Sequence, residues 1–439
     1  MVPEHGSDSA PAARNDEPLV LVSVDGHVGP RLADDLRPYC PADQLEAFDE
    51  MLAPAQEGAE LFRQMTAGPD APDPSIGVNL GTAGHYDADT RLAELDADGV
   101  ACEAIYHGSL NGEMMPFDAD LTFGARGEAP DLDLVAVGQD IYNRWLVDFC
   151  AHAPERWIGL VHLPMWDVPA AVKVLEWARE AGLRGVNFPA PRPFILRYDH
   201  PDWDPFWSAC EDLGMALHTH SRPEVGLAEL MPPPGGVMNL GPLTSIESAW
   251  PSRRGLGRMV FGGVFARHPG LRMVLTEMPP DWWTYTTREY DSAYLSFHRY
   301  HGEDIPELPS VYLRRQVFMG GSVPAPFEVE AAERDGYVEN FLWGRDYPHP
   351  EGTWQFGGEP GTGASTTRLA LRHAFASAAP DTVRAILGDN AVRAFALDES
   401  ILQDVADRIG APTAPDIAVP LDHLPDHRMN AFRTVGPYY

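Results

Sequence analysis

The sequence predicts a (β/α)8 barrel, an α/β fold with long insertions in the βα loops at its C-terminal face. Two observations lead there. Short apolar, β-branched runs alternate with stretches of helical periodicity, the signature of a parallel sheet covered by helices. Eight such runs occur in one chain of 439 residues, and eight units favour a closed barrel over an open sheet. The expected organisation is a flexible N-terminus over 1–18, one barrel domain over 19–400, and a C-terminal tail over 401–439, proline-rich from about Ala411 and packed on the barrel.

In chain order the candidate strands are PLVLVSVD ending near Asp25, VACEAIYH near His107, RWIGLVHLP near Pro164, RGVNFP near Pro189, MALHTH near His220, LRMVLTE near Glu277, RRQVFMG near Gly320 and FLWGRD near Asp346. GQDIYNRWLVDFCAHA, VPAAVKVLEWAREAG and DPFWSACEDLG are the clearest helices between them. Connections 28–90, 108–134, 222–245 and 347–365 are too long for tight turns. All follow strands, so they belong to the face where barrel enzymes carry their sites. Segment 28–90 includes its own helical piece, PADQLEAFDEMLA, and the stretch after His107 reads as a lid or pocket wall.

Composition narrows the function. Lys+Arg of 32 against Asp+Glu of 65 gives a net charge of -33, which disfavours nucleic acid and anionic membranes as partners. Arg253, Arg254 and Arg258 form the one local basic cluster singled out, read as a solvated helix face rather than a phosphate site. Cys40, Cys102, Cys150 and Cys210 form no CxxC pair, which suits free thiols in a reducing cytoplasm. The polar N-terminus lacks the apolar stretch of a secretory signal, and no uncharged apolar run reaches membrane-spanning length. A cytoplasmic enzyme acting on a small molecule is expected, with the oligomeric state left open between a monomer and a homo-oligomer.

Metal-capable side chains fall at strand ends, which converge above a barrel axis. Asp25 and His27 lie two apart in extended chain, so their side chains point the same way. His218 and His220 share a face in HTH, and Glu277 and Asp346 close the sixth and eighth runs. Each has an ordinary alternative. Glu277 suits a helix N-terminus, Asp346 suits a turn, and His218 suits the core below the metal layer. His107 is either a ligand or a lid anchor, and His349 a ligand, a proton shuttle or a loop histidine. His85, His152, His200 and His268 have no strand-end position and are read as structural. Coincidence at four strand ends is what favours a metal site.

The segments VSVDGHVGP, DADTRLAELDADGV, YNRWLVDFCAHAPERWIGLVHLP, AAVKVLEWAREAGLRGVNFP, FWSACEDLGMALHTHS, HPGLRMVLTEMPPDWW and FLWGRDYPHPEGTW resemble the amidohydrolase-2 family of metal-dependent barrels. The resemblance implies metal ligation by Asp25, His27, His220 and Asp346, and zinc or manganese hydrolase or decarboxylase chemistry. Decarboxylases of the family commonly keep a histidine as acid/base at the sixth strand, where this chain has Glu277. With Glu277, His107 and His349 the donors exceed the needs of one tetrahedral ion, so two metals are expected. The DGHVGP opening, the YHGS segment and the length resemble a subgroup typified by the nonheme diiron monooxygenase of platensimycin and platencin biosynthesis. The leading expectation is therefore a diiron monooxygenase of secondary metabolism. It would use two Fe ions and dioxygen to hydroxylate an unactivated carbon of a bulky, coenzyme A-linked, diterpenoid-like acid, with catalytic roles for Glu277, Asp346 and His349. Met114, Met115, Phe117, Trp282, Trp283 and Trp354 are candidates to line its pocket. The alternative is a hydrolase or nonoxidative decarboxylase with one Zn or Mn ion.

Overall fold

The computed structural model describes residues 16–67, 79, 81–120, 130–221, 246–278, 280–300, 302–349, 352–354, 365–424 and 430–434. The expected flexible N-terminus, up to residue 15, and the whole loop at 222–245 lie outside the described residues, as do parts of the other long connections.

The strands are β1 (Val22–Ser23), β2 (His27–Val28), β3 (Cys102–His107), β4 (Trp157–Val161), β5 (Gly185–Asn187), β6 (Ala216–His220), β7 (Met273–Thr276), β8 (Val317–Ser322) and β9 (Phe341–Gly344). Each pairs in parallel with its neighbour in the order β1-β3-β4-β5-β6-β7-β8-β9, and β2 also pairs with β3. Thus β1 and β2 are two pieces of one stave, interrupted at 24–26. Val24 N donates to Trp343 O at 2.9 Å and Asp346 N to Asp25 O at 3.1 Å, joining the first stave to the last. The fold is the (β/α)8 barrel that the alternation predicts.

Period-two alternation sorts the strand residues. Val22, Val24, Cys102, Ala104, Tyr106, Ile158, Leu160, Ala216, Val274, Phe318 and Leu342 form the interior cluster, closed by Ala391, Ala394, Phe395 and Leu402. The other register, including Ile105, Trp157, Val161, Val186, Leu217, Leu275, Met319 and Trp343, packs on the surrounding helices. Among those helices Leu132–Ala151 and Val168–Glu180 are capped by Asp131 and Asp167 side chains, and Asp204–Leu213 ends on Gly214 in the left-handed conformation. The helix expected in 28–90 spans Leu45–Ala67. Helix Glu399–Ile409 crosses the 400/401 position where the tail was expected to begin, and further along Phe432 is buried with Val323, Leu369 and Ala370.

Close approach requires glycine at two positions beside the first stave. A Cβ on Gly26 would lie 2.5 Å from the Glu103 carboxyl carbon, and one on Gly344 would lie 2.7 Å from Asp25 Cβ. The glycine of the DGH motif therefore leaves room for a carboxylate directly behind the first stave.

Candidate metal centre

Strand ends bring two overlapping groups of donors together: Asp25, His27 and His220, and His27, Asp346 and His349. The donor atoms within each group lie within 4.8 Å of one another, and every member is buried. His27 Nε2 lies 3.3 Å from Asp25 Oδ1 and 3.4 Å from Asp346 Oδ1. His220 Nε2 lies 3.4 Å from Asp25 Oδ1, and His349 Nδ1 lies 3.1 Å from Asp346 Oδ1.

The ring orientations are set by backbone carbonyls, which only accept. His27 Nδ1 faces His107 O at 3.1 Å, His220 Nδ1 faces Ser221 O at 2.7 Å, and His349 Nε2 faces Gly108 O at 2.9 Å. Each carbonyl takes an N–H, so the opposite nitrogen of each ring is the one turned toward the carboxylates. The rings of His27 and His349 stack at 4.2 Å, 8° from parallel.

Electrostatics suit a cation. Burial opposes ionisation of Asp25, yet the imidazoles of His220 and His27 hold its carboxyl well below the usual range. Burial likewise works against Asp346, and His349 among its neighbours lowers it. Despite burial, the carboxylates of Glu277 and Asp25 lift His220 to about 9. Asp25 Oδ1 and both Asp346 oxygens accept no well-formed hydrogen bond among the described residues, a costly state for buried anions unless a cation completes the site. Mixed imidazole and carboxylate donors fit a divalent ion such as zinc, manganese or iron.

Side chains at the strand ends reinforce the centre. Ser322 donates to Asp25 Oδ2 and Ser221 to Glu277 Oε2. Glu277 approaches the Nδ1 edge of His220 at 3.4 Å, away from Asp25, and is one-sixth exposed at 16%. Glu277 and Asp346 adopt φ of +55° and +54°, a conformation that costs a non-glycine residue of order 1 kcal/mol and that clusters at functional sites. Below them Tyr106 lies 4.8 Å, ring to ring, from both His218 and His220.

Of the residues singled out in sequence, Asp25, His27, His220, Asp346 and His349 come together here. His218 lies one layer down, bonded to Thr276 Oγ1, with burial holding it near a pKa of about 3. His107 stands in neither group. Cys102, Ala104 and Tyr106 take the interior register of β3, so His107 shares the outer one, where its ring meets Tyr142 at 5.7 Å and Asp120 at 3.4 Å. Only its carbonyl serves the centre. Among the suggested lining residues, Met115 and Trp283 are in the core. Phe117 meets Phe48, Trp282 carries the Arg253 guanidinium at 4.7 Å, and Trp354 packs on Tyr347 at 4.7 Å. Met114 is 39% exposed. Sequence reading did not single out Tyr106, Ser221, Ser322, Arg91, Glu103 or Arg345.

The expected two-metal pool is narrower than it looked. Both donor groups share His27, whose single available nitrogen cannot serve two ions.

Comparison with known proteins corrects the functional expectation. A gamma-resorcylate decarboxylase of Rhodococcus jostii (strain RHA1) is 31% identical over 147 residues, covering 31% of this chain and 43% of that protein. A second, from Rhizobium radiobacter, is 26% identical over 198 residues, covering 43% of this chain and 55% of its own. The chain thus spans about half the length of the curated relatives it matches. Among solved structures, a 5-carboxyvanillate decarboxylase from Sphingomonas paucimobilis superposes with a TM-score of 0.57 at 19% identity, over 87% of this chain and 100% of its own. A dihydroxybenzoic acid decarboxylase from Polaromonas sp. JS666, with bound manganese and the inhibitor 2-nitroresorcinol, gives 0.53 at 16% identity, over 86% and 97%. At these identities the structural likeness shows the fold. The expectation of a diiron monooxygenase, an oxidoreductase using dioxygen on a coenzyme A-linked acid, is overturned by these relatives, which are decarboxylases. Among the described residues no helix is long and apolar enough to cross a membrane. The sequence pattern of the amidohydrolase family matches residues 108–397, well over half of the chain, and the chain belongs to that family.

Proposed function

We propose that the chain is a metal-dependent, nonoxidative decarboxylase of a hydroxylated aromatic acid, working with one divalent ion, manganese or zinc. The observation that carries this reading is the convergence of Asp25, His27, His220, Asp346 and His349 on one buried locus through the shared His27. The decarboxylase relatives supply the reaction class, and the solved relative holding manganese with a nitroresorcinol supplies the ligand class.

A bound cation would supply charge to fix and polarise the oxygens of the acid. The chain's own residues do the rest. In the reaction the bond between ring carbon and carboxylate breaks, carbon dioxide leaves, the electron pair stays on the ring carbon, and that carbon takes one proton. Glu277 is the proton donor in this reading. It sits at the edge of the centre with its carboxyl oriented by Ser221, and burial together with the charges of Asp346 and Asp25 raises its proton affinity. It occupies the strand position where family decarboxylases commonly carry a histidine, and a carboxylic acid with raised pKa can perform the same transfer.

The test is incubation of manganese-loaded protein with a panel of hydroxybenzoates, 2,6-dihydroxybenzoate included, in D2O without oxygen. The reading expects carbon dioxide and one deuterium at the vacated carbon. No decarboxylation of any member of the panel, with amides or esters turned over when supplied to the same protein, would overturn it.

A further inference from the structure

We propose that Arg91, Glu103 and Arg345 are positioning residues that hold the metal-ligating ends of the first and last staves in register. Glu103 lies in the outer register of β3, behind Gly26, with no exposed surface. Its two oxygens are divided between two arginines. Arg91 Nε and Nη2 donate to Oε2 at 2.9 and 2.6 Å, while Arg345 Nε donates to Oε1 at 2.7 Å. Arg345 Nη1 also donates to Asp98 Oδ2 at 2.6 Å, which accepts from Thr367 Oγ1 at 2.7 Å. Two guanidinium ions and two carboxylates thus balance inside the wall of the barrel.

The outward bonds of this network reach the ligands. Arg91 Nη1 donates to the carbonyl of His27 at 2.8 Å and to that of Gly84 at 3.2 Å. Arg345 is joined directly to Asp346, and its own N–H donates to Ser23 Oγ at 3.1 Å. Tyr347, on the other side of Asp346, lies under both cations, 3.3 Å from the Arg91 guanidinium and 4.8 Å from that of Arg345, and its hydroxyl donates to Glu94. His27 and Asp346 face each other across the seam where the barrel closes, and each is tied by backbone to one arginine of a shared carboxylate.

Stability alone does not call for such a network, because apolar side chains of similar volume commonly replace buried ion pairs without loss. Directional bonds to a chosen carbonyl are what apolar packing cannot supply. Partners that orient ligands typically change metal affinity by about 10–100-fold when removed.

This inference rests on the metal centre described above, and the experiment separates the two. Manganese affinity of the metal-free protein is measured from the EPR signal of unbound Mn2+, beside the melting temperature. The double variant Arg91→Met/Glu103→Leu leaves Arg345 paired with Asp98, so no charge is stranded. Its Kd for Mn2+ is expected to rise about 10–100-fold, with the melting temperature moved by less than about 3 °C. Should it fail to fold, Arg91→Lys retains the charge but cannot reach Glu103 and the His27 carbonyl together, and a several-fold weaker Kd is expected. Parental affinity in the folded variant would overturn the positioning role. His220→Ala is the control, expected to lose tight binding. If it binds manganese like the parent, the centre itself is misplaced.

Discussion

At the N-terminal end of the barrel the interior is shut by Ala391, Ala394 and Phe395, which pack against Val22, Cys102, Ile158, Ala216, Val274, Phe318 and Leu342. At the opposite end the same inward register delivers His220, above a layer of His218 and Thr276 in which His218 still meets Phe395 at 5.4 Å, and the staves finish on Asp25, His27, Glu277 and Asp346. One end spends its side chains on dispersion and water exclusion, the other on imidazoles and carboxylates gathered where a cation can bind. Changes at the plug should therefore cost stability and leave metal binding alone, whereas changes at the mouth should do the reverse.

The largest effect expected is at the mouth. Asp346→Ala and His220→Ala should each weaken manganese binding by more than about 100-fold, while circular dichroism of the metal-free proteins stays that of the parent. Full metal retention by both in elemental analysis would break the comparison. Next, Glu277→Gln should keep its metal and lose turnover by roughly 10²–10⁴-fold, since an amide cannot release the proton. Loss of a metal equivalent instead would make Glu277 a ligand.

At the plug, Phe395→Ala should lower unfolding free energy by about 3–5 kcal/mol in urea titrations with the manganese Kd unchanged. A weakened Kd there would show that the two ends are coupled. The smallest effect concerns acid. Burial depresses His162, and His85 with Arg91 beside it, to about 4. Below pH 6.5 the unfolded chain binds protons that these residues refuse when folded. Stability is then complete above pH 6.5 and falls toward pH 4, by at most about 3 kcal/mol for each. Replacing His162 with Gln should flatten that slope in urea midpoints measured across the range.

Much of this was legible in the sequence, for identifiable reasons. The barrel shows because each apolar run ends in a polar signal, and Asp25, His27, His220 and Asp346 show because strand ends must converge. His107 misled because its position at a strand end was read without its parity. Tyr106, one residue earlier, has the inward register with Cys102 and Ala104. The Arg91–Glu103–Arg345 network was invisible for another reason. Arg91 and Asp98 sit in the helix ADTRLAELDAD, away from any strand end, and only the folded seam shows Arg91 fully buried. A glutamate inside the apolar run CEAIYH was the one available sign. The oxygenase expectation counted donors by residue type, and residue type does not say that two donor groups will share one imidazole.

That shared imidazole makes metal stoichiometry the most direct test. Protein loaded with manganese, desalted and analysed for metal per chain should hold one ion, and decarboxylation should proceed equally with and without dioxygen. Two ions per chain, with oxygen consumed in proportion to product, would contradict the account.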